Sequence, residues 1–153
     1  MLVHPVPLRA VVRAIPLLAM LLCTACGGEQ APLQTAPLVF SGSPAETATS
    51  KGGLLRIDIR WSWSPPVVGY DASEMTITDG TGAPATGLTL TIVPWMPAHG
   101  HSASVAPTVS ETSPGVYVAA PLDFYMSGTW QLLTTIAGMG SIDDSAQPSV
   151  DIP

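Results

Sequence analysis

Leu55, Ile57, Ile59, Trp61 and Trp63 alternate with Arg56, Asp58, Arg60 and Ser62. A period of two puts the apolar side chains on one face of an extended chain and the polar ones on the other, so this segment predicts a strand with one buried face. The run Ser-Pro-Pro-Val-Val-Gly at 64–69 breaks it. Met75 and Ile77 then alternate with Glu74, Thr76 and Thr78 up to an Asp-Gly-Thr-Gly turn at 79–82, and Leu88, Leu90 and Ile92 alternate with threonines as far as Pro94. Residues 105–110 predict a short strand in which Pro107 favours a sheet edge, because proline has no N–H to give a ladder. Residues 116–120 follow a Ser-Pro-Gly turn, residues 130–136 alternate again, and residues 146–152 close the chain. No stretch carries a convincing helical period.

About seven short strands at roughly 8–12-residue spacing, separated by Gly, Pro and Asp turns, predict an all-β protein: an immunoglobulin-like antiparallel β-sandwich, with a small barrel as the alternative. The paired cysteines of antibody domains are missing. Trp61, Trp63 and Trp130 are expected in the core or on a sheet face, Met75 in the core and Met139 in a Gly-Met-Gly hairpin turn.

Ahead of these strands the pattern changes. Arg9 and Arg13 precede the apolar run 14–22, and Thr24, Ala25 and Cys26 follow it. This is the layout of a signal peptide, expected over 1–25, and the run is far short of the roughly 20 apolar residues a spanning helix needs. Cys26 after two small residues resembles the lipobox of bacterial lipoproteins, with Cys23 standing where leucine is usual and Leu22 one place earlier. Cys26 is therefore the expected lipidation site, with an ordinary secretory cleavage near Ala25 as the alternative. Several acyl chains on one cysteine anchor stably, since each buried CH₂ contributes about 0.8 kcal/mol. The expected location is the extracytoplasmic face of the cell envelope, and Gly27 after the cysteine suits the outer membrane of a Gram-negative host. Residues 26–53 are rich in Gly, Pro, Ala, Ser and Thr and predict a flexible tether averaging roughly 30 Å, with 38–40 as a candidate extra strand and the domain proper at 54–153.

Processing removes Arg9 and Arg13, so Lys51, Arg56 and Arg60 face eleven acids and three cations against eleven leaves a net charge of −8. Such a surface disfavours nucleic acid, whose binding rests on Lys and Arg at phosphates. With Cys23 cleaved off and Cys26 acylated no disulfide is available, and the domain depends on its hydrophobic core.

The concentrated chemistry is Met-Pro-Ala-His-Gly-His at 96–101, which holds both histidines of the mature chain. In extended backbone His99 and His101 face the same side across Gly100. Met96 belongs to the same loop and Met126 to another between strands. Imidazole with thioether is a soft donor set that suits Cu(I), whereas zinc has little use for methionine. The expected metal ligands are therefore His99, His101, Met96 and Met126, with copper as the metal and Asp123 as a harder donor of undetermined reach. The structural alternative has the histidines bonding loop backbone and the methionines filling gaps, as methionine often does. An enzyme is not expected. Ser102, His101 and Asp123 supply the residue types of a hydrolase, but adjacency in sequence is no such geometry. Asp143 and Asp144 read as a solvated turn.

Five motifs occur in order: Pro-Pro-x-x-Gly at 65–69, the Asp79 turn, Met-Pro-x-His-Gly-His at 96–101, Gly-Val-Tyr at 115–117 and Phe-x-Met-x-Gly-x-Trp at 124–130. From about Leu54 onward the chain resembles the YtkA-like domain, often grouped with FixH proteins. Ser127 stands where relatives often carry proline, and the membrane helix of FixH proper is missing. The resemblance implies an exported or membrane-associated β-sandwich, with a FixH-like link to assembly of copper-containing oxidases. Two functions stay open: a lipid-anchored copper-binding accessory or metallochaperone that serves a copper protein, and a non-metal interaction module of an envelope complex whose His loop is structural.

Overall fold

A computed structural model describes residues 37–138 and 142–153. The expected signal peptide at 1–25, the expected lipidation site Cys26 and Met139 lie outside the described residues. Among the described residues there are ten strands and no helix: β1 (Glu46–Thr49), β2 (Leu55–Trp61), β3 (Gly69–Asp79), β4 (Thr89–Met96), β5 (His101–Ser102), β6 (Thr108–Ser113), β7 (Val116–Phe124), β8 (Gly128–Gly138), β9 (Ile142–Ala146) and β10 (Ser149–Ile152). They form two antiparallel sheets, β1-β2-β3-β7-β6 and β10-β8-β4-β5, with β9 also pairing β8. Both sheets keep free edges, so the fold is a β-sandwich and not the small barrel.

The alternation in β2 does what its period requires. Leu55, Ile57, Ile59 and Trp61 are buried, while Arg56, Asp58 and Arg60 are not. Ile57 pairs with Ile77 and Ile59 with Met75, and Met75 pairs in turn with Tyr117 of β7, so one apolar row crosses three strands. From the facing sheet, Leu90 and Ile92 of β4 and Leu132 and Ile136 of β8 close the core. Each such side chain contributes about 1.5–3 kcal/mol when fully buried.

Three departures from the sequence pattern have local causes. The expected tether contains β1, whose Glu46 to Thr49 pair with Ile59 to Arg56. This edge strand holds its place through backbone pairing and buries little apolar surface, so its sequence carries no strand pattern. Ser50 next to it is buried and its hydroxyl accepts the Leu55 N–H, which draws the fold's boundary forward of residue 54. Residues 38–40, the candidate extra strand, take no strand pairing. Trp63 is 61% exposed, because the chain leaves the sheet after Trp61, whereas Trp61 and Trp130 are core residues.

Asp143 and Asp144 belong to strand β9 and not to a solvated turn. Asp144 is buried, and its Oδ1 accepts the N–H groups of Gly52 and Ser145, each at 2.8 Å. It fastens the loop after β1 to the opposite sheet. A Cβ on Gly52 would lie 2.9 Å from the Asp144 carboxylate, so the glycine permits that close approach.

Four carboxylates share this role of receiving hydrogen bonds, and each is held below the ordinary carboxylate range. The Ser50 hydroxyl and two backbone N–H groups act on Asp144, the Arg56 guanidinium on Asp58, the Thr81 hydroxyl and N–H on Asp79, and the N–H groups of Gly115 and Gly87 on Glu111. Groups with depressed folded pKa values contribute stability that is present above the unfolded pKa and lost as pH falls through the folded one. Glu46 acts oppositely, since burial raises its pKa and favours its protonated form. The denaturant midpoint is expected to hold from about pH 8 to 5 and to fall below about pH 4. A midpoint that rose on acidification to about pH 3 would contradict this assignment.

Candidate metal centre

Strand β4 ends at Met96, whose carbonyl accepts the N–H groups of His99 at 3.2 Å and Gly100 at 2.9 Å. These bonds reverse the chain within four residues. Gly100 has φ +68°, a left-handed conformation that glycine adopts without a Cβ clash. The chain returns as β5, where His101 pairs with Met96 and Ser102 with Trp95. The expected extended backbone through 99–101 is thus a turn, because Gly100 bends it. The imidazoles converge all the same, with ring centroids 5.6 Å apart at 50°.

Directly paired residues of an antiparallel ladder project to one face of the sheet, so His101 and Met96 lie side by side. The β4–β8 register pairs Trp95 with Gln131, and one further step sets Met96 opposite Trp130, itself paired with Val150 of β10. One inward-facing row therefore crosses the sheet: Val150, Trp130, Met96 and His101. Its first three members are buried, and only His101, at the sheet edge, is partly open. Met96 is 1% exposed and forms the floor of the cluster rather than its rim. A Cβ at Gly128 would lie 2.6 Å from the Met96 Cε, so the absence of a side chain there makes room for the thioether's methyl group.

The loop between β7 and β8 supplies the wall. Tyr125 stacks on His101 with centroids 5.4 Å apart and an interplanar angle of 27°, and its hydroxyl lies 2.7 Å from His101 Nδ1 and 3.3 Å from Nε2. Tyr125 also meets Trp130 edge-on at 5.4 Å, and Trp130 lies 6.1 Å from His101. The Trp130 indole N–H donates to the carbonyl of Met126 at 3.0 Å, which ties the Met126 loop to the core beside the imidazole row. Met126 is partly buried against that core.

Of the four expected ligands, His99 and His101 are brought together, Met96 pairs beside His101 across β4 and β5, and Met126 sits in the adjoining loop. Metal–nitrogen bonds near 2 Å place each ring centroid about 3 Å from a shared ion, so two rings on one metal stand up to about 6 Å apart. The observed separation fits that limit. Among the described residues no three His, Cys, Asp or Glu side chains form a metal-holding group, so a site here depends on thioether sulfur. Asp123 is buried and accepts the Ser104 hydroxyl at 3.3 Å, while His101 engages Tyr125. The Ser102, His101 and Asp123 set therefore lacks the hydrogen-bonded sequence of a hydrolase triad. Sequence reasoning missed Tyr125; its only signal was an aromatic residue directly before Met126.

Fold and cluster together define a small all-β sandwich with an imidazole, thioether and aromatic cluster at one end. The chain belongs to the YtkA-like family, whose model matches residues 55–135. That span runs from β2 well into β8 and contains the His turn, Tyr125, Met126 and Trp130. No curated protein and no solved structure matches the chain.

Proposed function

We propose that this protein is a non-catalytic, lipid-anchored envelope protein that binds Cu(I) through His99 and His101, with Met126 and Met96 as thioether donors. Copper is its cargo, received outside the cytoplasm and passed to a copper protein, with oxidase assembly as the setting. The observation that carries this reading is the pair of converging imidazoles at the open end of a row whose next member is a thioether. Soft donors favour Cu(I) over zinc. Tyr125 fixes the His101 ring by stacking and by its hydroxyl, as hydrogen-bonded partners orient metal-ligating histidines elsewhere. The signal-peptide and lipobox pattern supports the anchor at Cys26.

A second reading has support in the same cluster. Met96 is buried, and Tyr125 already gives His101 a partner, as expected of an interaction module whose His turn is structural. Competition titration separates the two. Cu(I) partitioned between the protein and a chromophoric chelator is expected to bind the wild-type chain at least tenfold more tightly than the His99→Ala/His101→Ala double variant. Affinity should weaken from about pH 8 to 5, because imidazole must be deprotonated to ligate. Equal affinity for both chains would leave only the interaction module.

A further inference from the structure

Among the described residues, the end of the sandwich that holds the imidazoles also carries the largest run of exposed apolar residues. Strand β2 ends there and β3 begins there, and the loop between them presents Trp63, Val67 and Val68, with Tyr70 just inside β3. Trp63 and Tyr70 are 61% and 64% exposed. The described chain enters at the same place: Pro37, Leu38 and Val39 line a shallow groove with Ser62 and Trp63, and Leu38 and Val39 are themselves exposed.

Charge divides the two ends. The segments 37–44, 62–70, 97–100 and 125–127 contain no Asp, Glu, Lys or Arg, in a chain with eleven acids. Asp71 and Asp123 flank these segments but are buried, Arg60 is half-buried in donating to the Gly42 carbonyl and pairing with Glu74, Glu46 accepts the Ser149 N–H, and Asp151 on edge strand β10 is the exposed acid towards this end. Lys51, Asp79, Glu111, Asp143 and Asp144 lie towards the other end, where β1 turns to β2, β3 to β4 and β6 to β7.

We infer that this uncharged end is a lipid-facing surface, with Trp63 and Tyr70 seated among the headgroups of the bilayer that carries the anchor and Val67 and Val68 dipping beneath them. The inference rests on the anchor reading for its geometry. Cys26 and Pro37 are eleven residues apart, so even a fully extended chain holds this end within about 40 Å of the acylated cysteine. Trp and Tyr are the side chains enriched at membrane interfaces, where an amphipathic ring sits at headgroup level. An uncharged patch is what an acidic domain must present there, because anionic headgroups repel its other surfaces. The imidazole cluster then opens at the membrane surface, beside any integral membrane protein that takes its cargo.

The test uses the full acylated chain reconstituted into phosphatidylcholine vesicles containing brominated lipid, which quenches tryptophan only at short range. Trp61 and Trp130 are buried in the core and the partly buried Trp95 is common to both chains, so the signal of Trp63 is the difference between wild type and Trp63→Phe. Quenching of that component is expected, and it should drop at least threefold in Val67→Asp/Val68→Asp with an unchanged circular dichroism spectrum and thermal midpoint. An acylated chain whose Trp63 component is not quenched overturns the inference and leaves the anchor reading intact. Absence of palmitate label at Cys26 overturns the anchor reading, and quenching of unanchored chain added to the same vesicles then decides the inference alone. Concentration-dependent dimerisation that shields Trp63 without lipid, or crosslinking of residue 67 to a protein in place of lipid, also overturns it.

Discussion

Trp130→Ala is expected to cost about 3–5 kcal/mol of folding stability, the range for truncating a buried aromatic residue. The side chain is fully buried and touches Phe124 edge-on at 5.6 Å, Tyr125 at 5.4 Å and His101 at 6.1 Å. Phe124 in turn meets Trp61 at 5.9 Å, so Trp130 joins an aromatic chain from the imidazole edge to the first sheet. Truncation also strips the Met126 carbonyl of its indole donor. Against a typical domain stability of about 5–15 kcal/mol, this loss brings the protein close to its unfolding threshold. Chemical denaturation measures it. Trp130→Phe separates the two effects: it keeps most of the packing and removes the hydrogen bond, so it should cost about 1–2 kcal/mol and loosen the Met126 loop. A Trp130→Ala loss below about 1 kcal/mol would mean that the aromatic chain is not a structural core.

The second large effect is expected at Gly115. This residue has φ +72°, and a Cβ there would lie 2.9 Å from the Ile77 carbonyl oxygen and 2.8 Å from Pro84. Both obstacles belong to rigid parts of the fold. Gly115 also supplies the carbonyl that accepts the Ile77 N–H at 2.8 Å, so β3 cannot move away without losing that bond. Gly115→Ala therefore combines left-handed backbone strain, about 1–3 kcal/mol, with overpacking of similar size. A total of about 2–6 kcal/mol is expected, measured as a lowered denaturant midpoint with unchanged slope. Gly42, with φ +81° and open space around it, is the control, where only the strain term applies. Equal losses at both positions would show that the Ile77 and Pro84 contacts add nothing.

Gly115 also explains what a motif can mean. In Gly-Val-Tyr the glycine packs on β3, and Tyr117 donates its hydroxyl to the Ala85 carbonyl at 2.8 Å while accepting the Leu88 N–H at 3.0 Å. These residues hold the β3–β4 connection onto β7. The motif marks the fold. Met96 has the same double character, since the residue that opens the His turn is also the buried floor of a cross-strand row.

The strands with one apolar face were legible because burial on one side imposes period two, as in β2 and in the 130–136 part of β8. Strands that break this rule were not. β1 and the two-residue β5 bury too little to be patterned, and in β3 a bulge between Asp71 and Ser73 puts three consecutive residues, Asp71, Ala72 and Ser73, in the interior. Asp144 escaped for a related reason: a buried carboxylate bonded to backbone N–H groups looks, in sequence, like any acid beside a turn. In the candidate site the histidines and methionines stood out by type. Tyr125 did not, because its role depends on a loop from β7 reaching a turn after β4, and no local pattern records that approach.

Cu(I) titration followed by nuclear magnetic resonance of the imidazole nitrogens and methionine methyl groups tests the central claim most directly. One equivalent of Cu(I), added anaerobically to the full chain, is expected to shift the ring resonances of His99 and His101 and the methyl resonances of Met96 and Met126, with Met75 in the core between β2 and β7 unmoved. Imidazole resonances that stay in place at one equivalent, while copper remains free to a competing chelator, would contradict it.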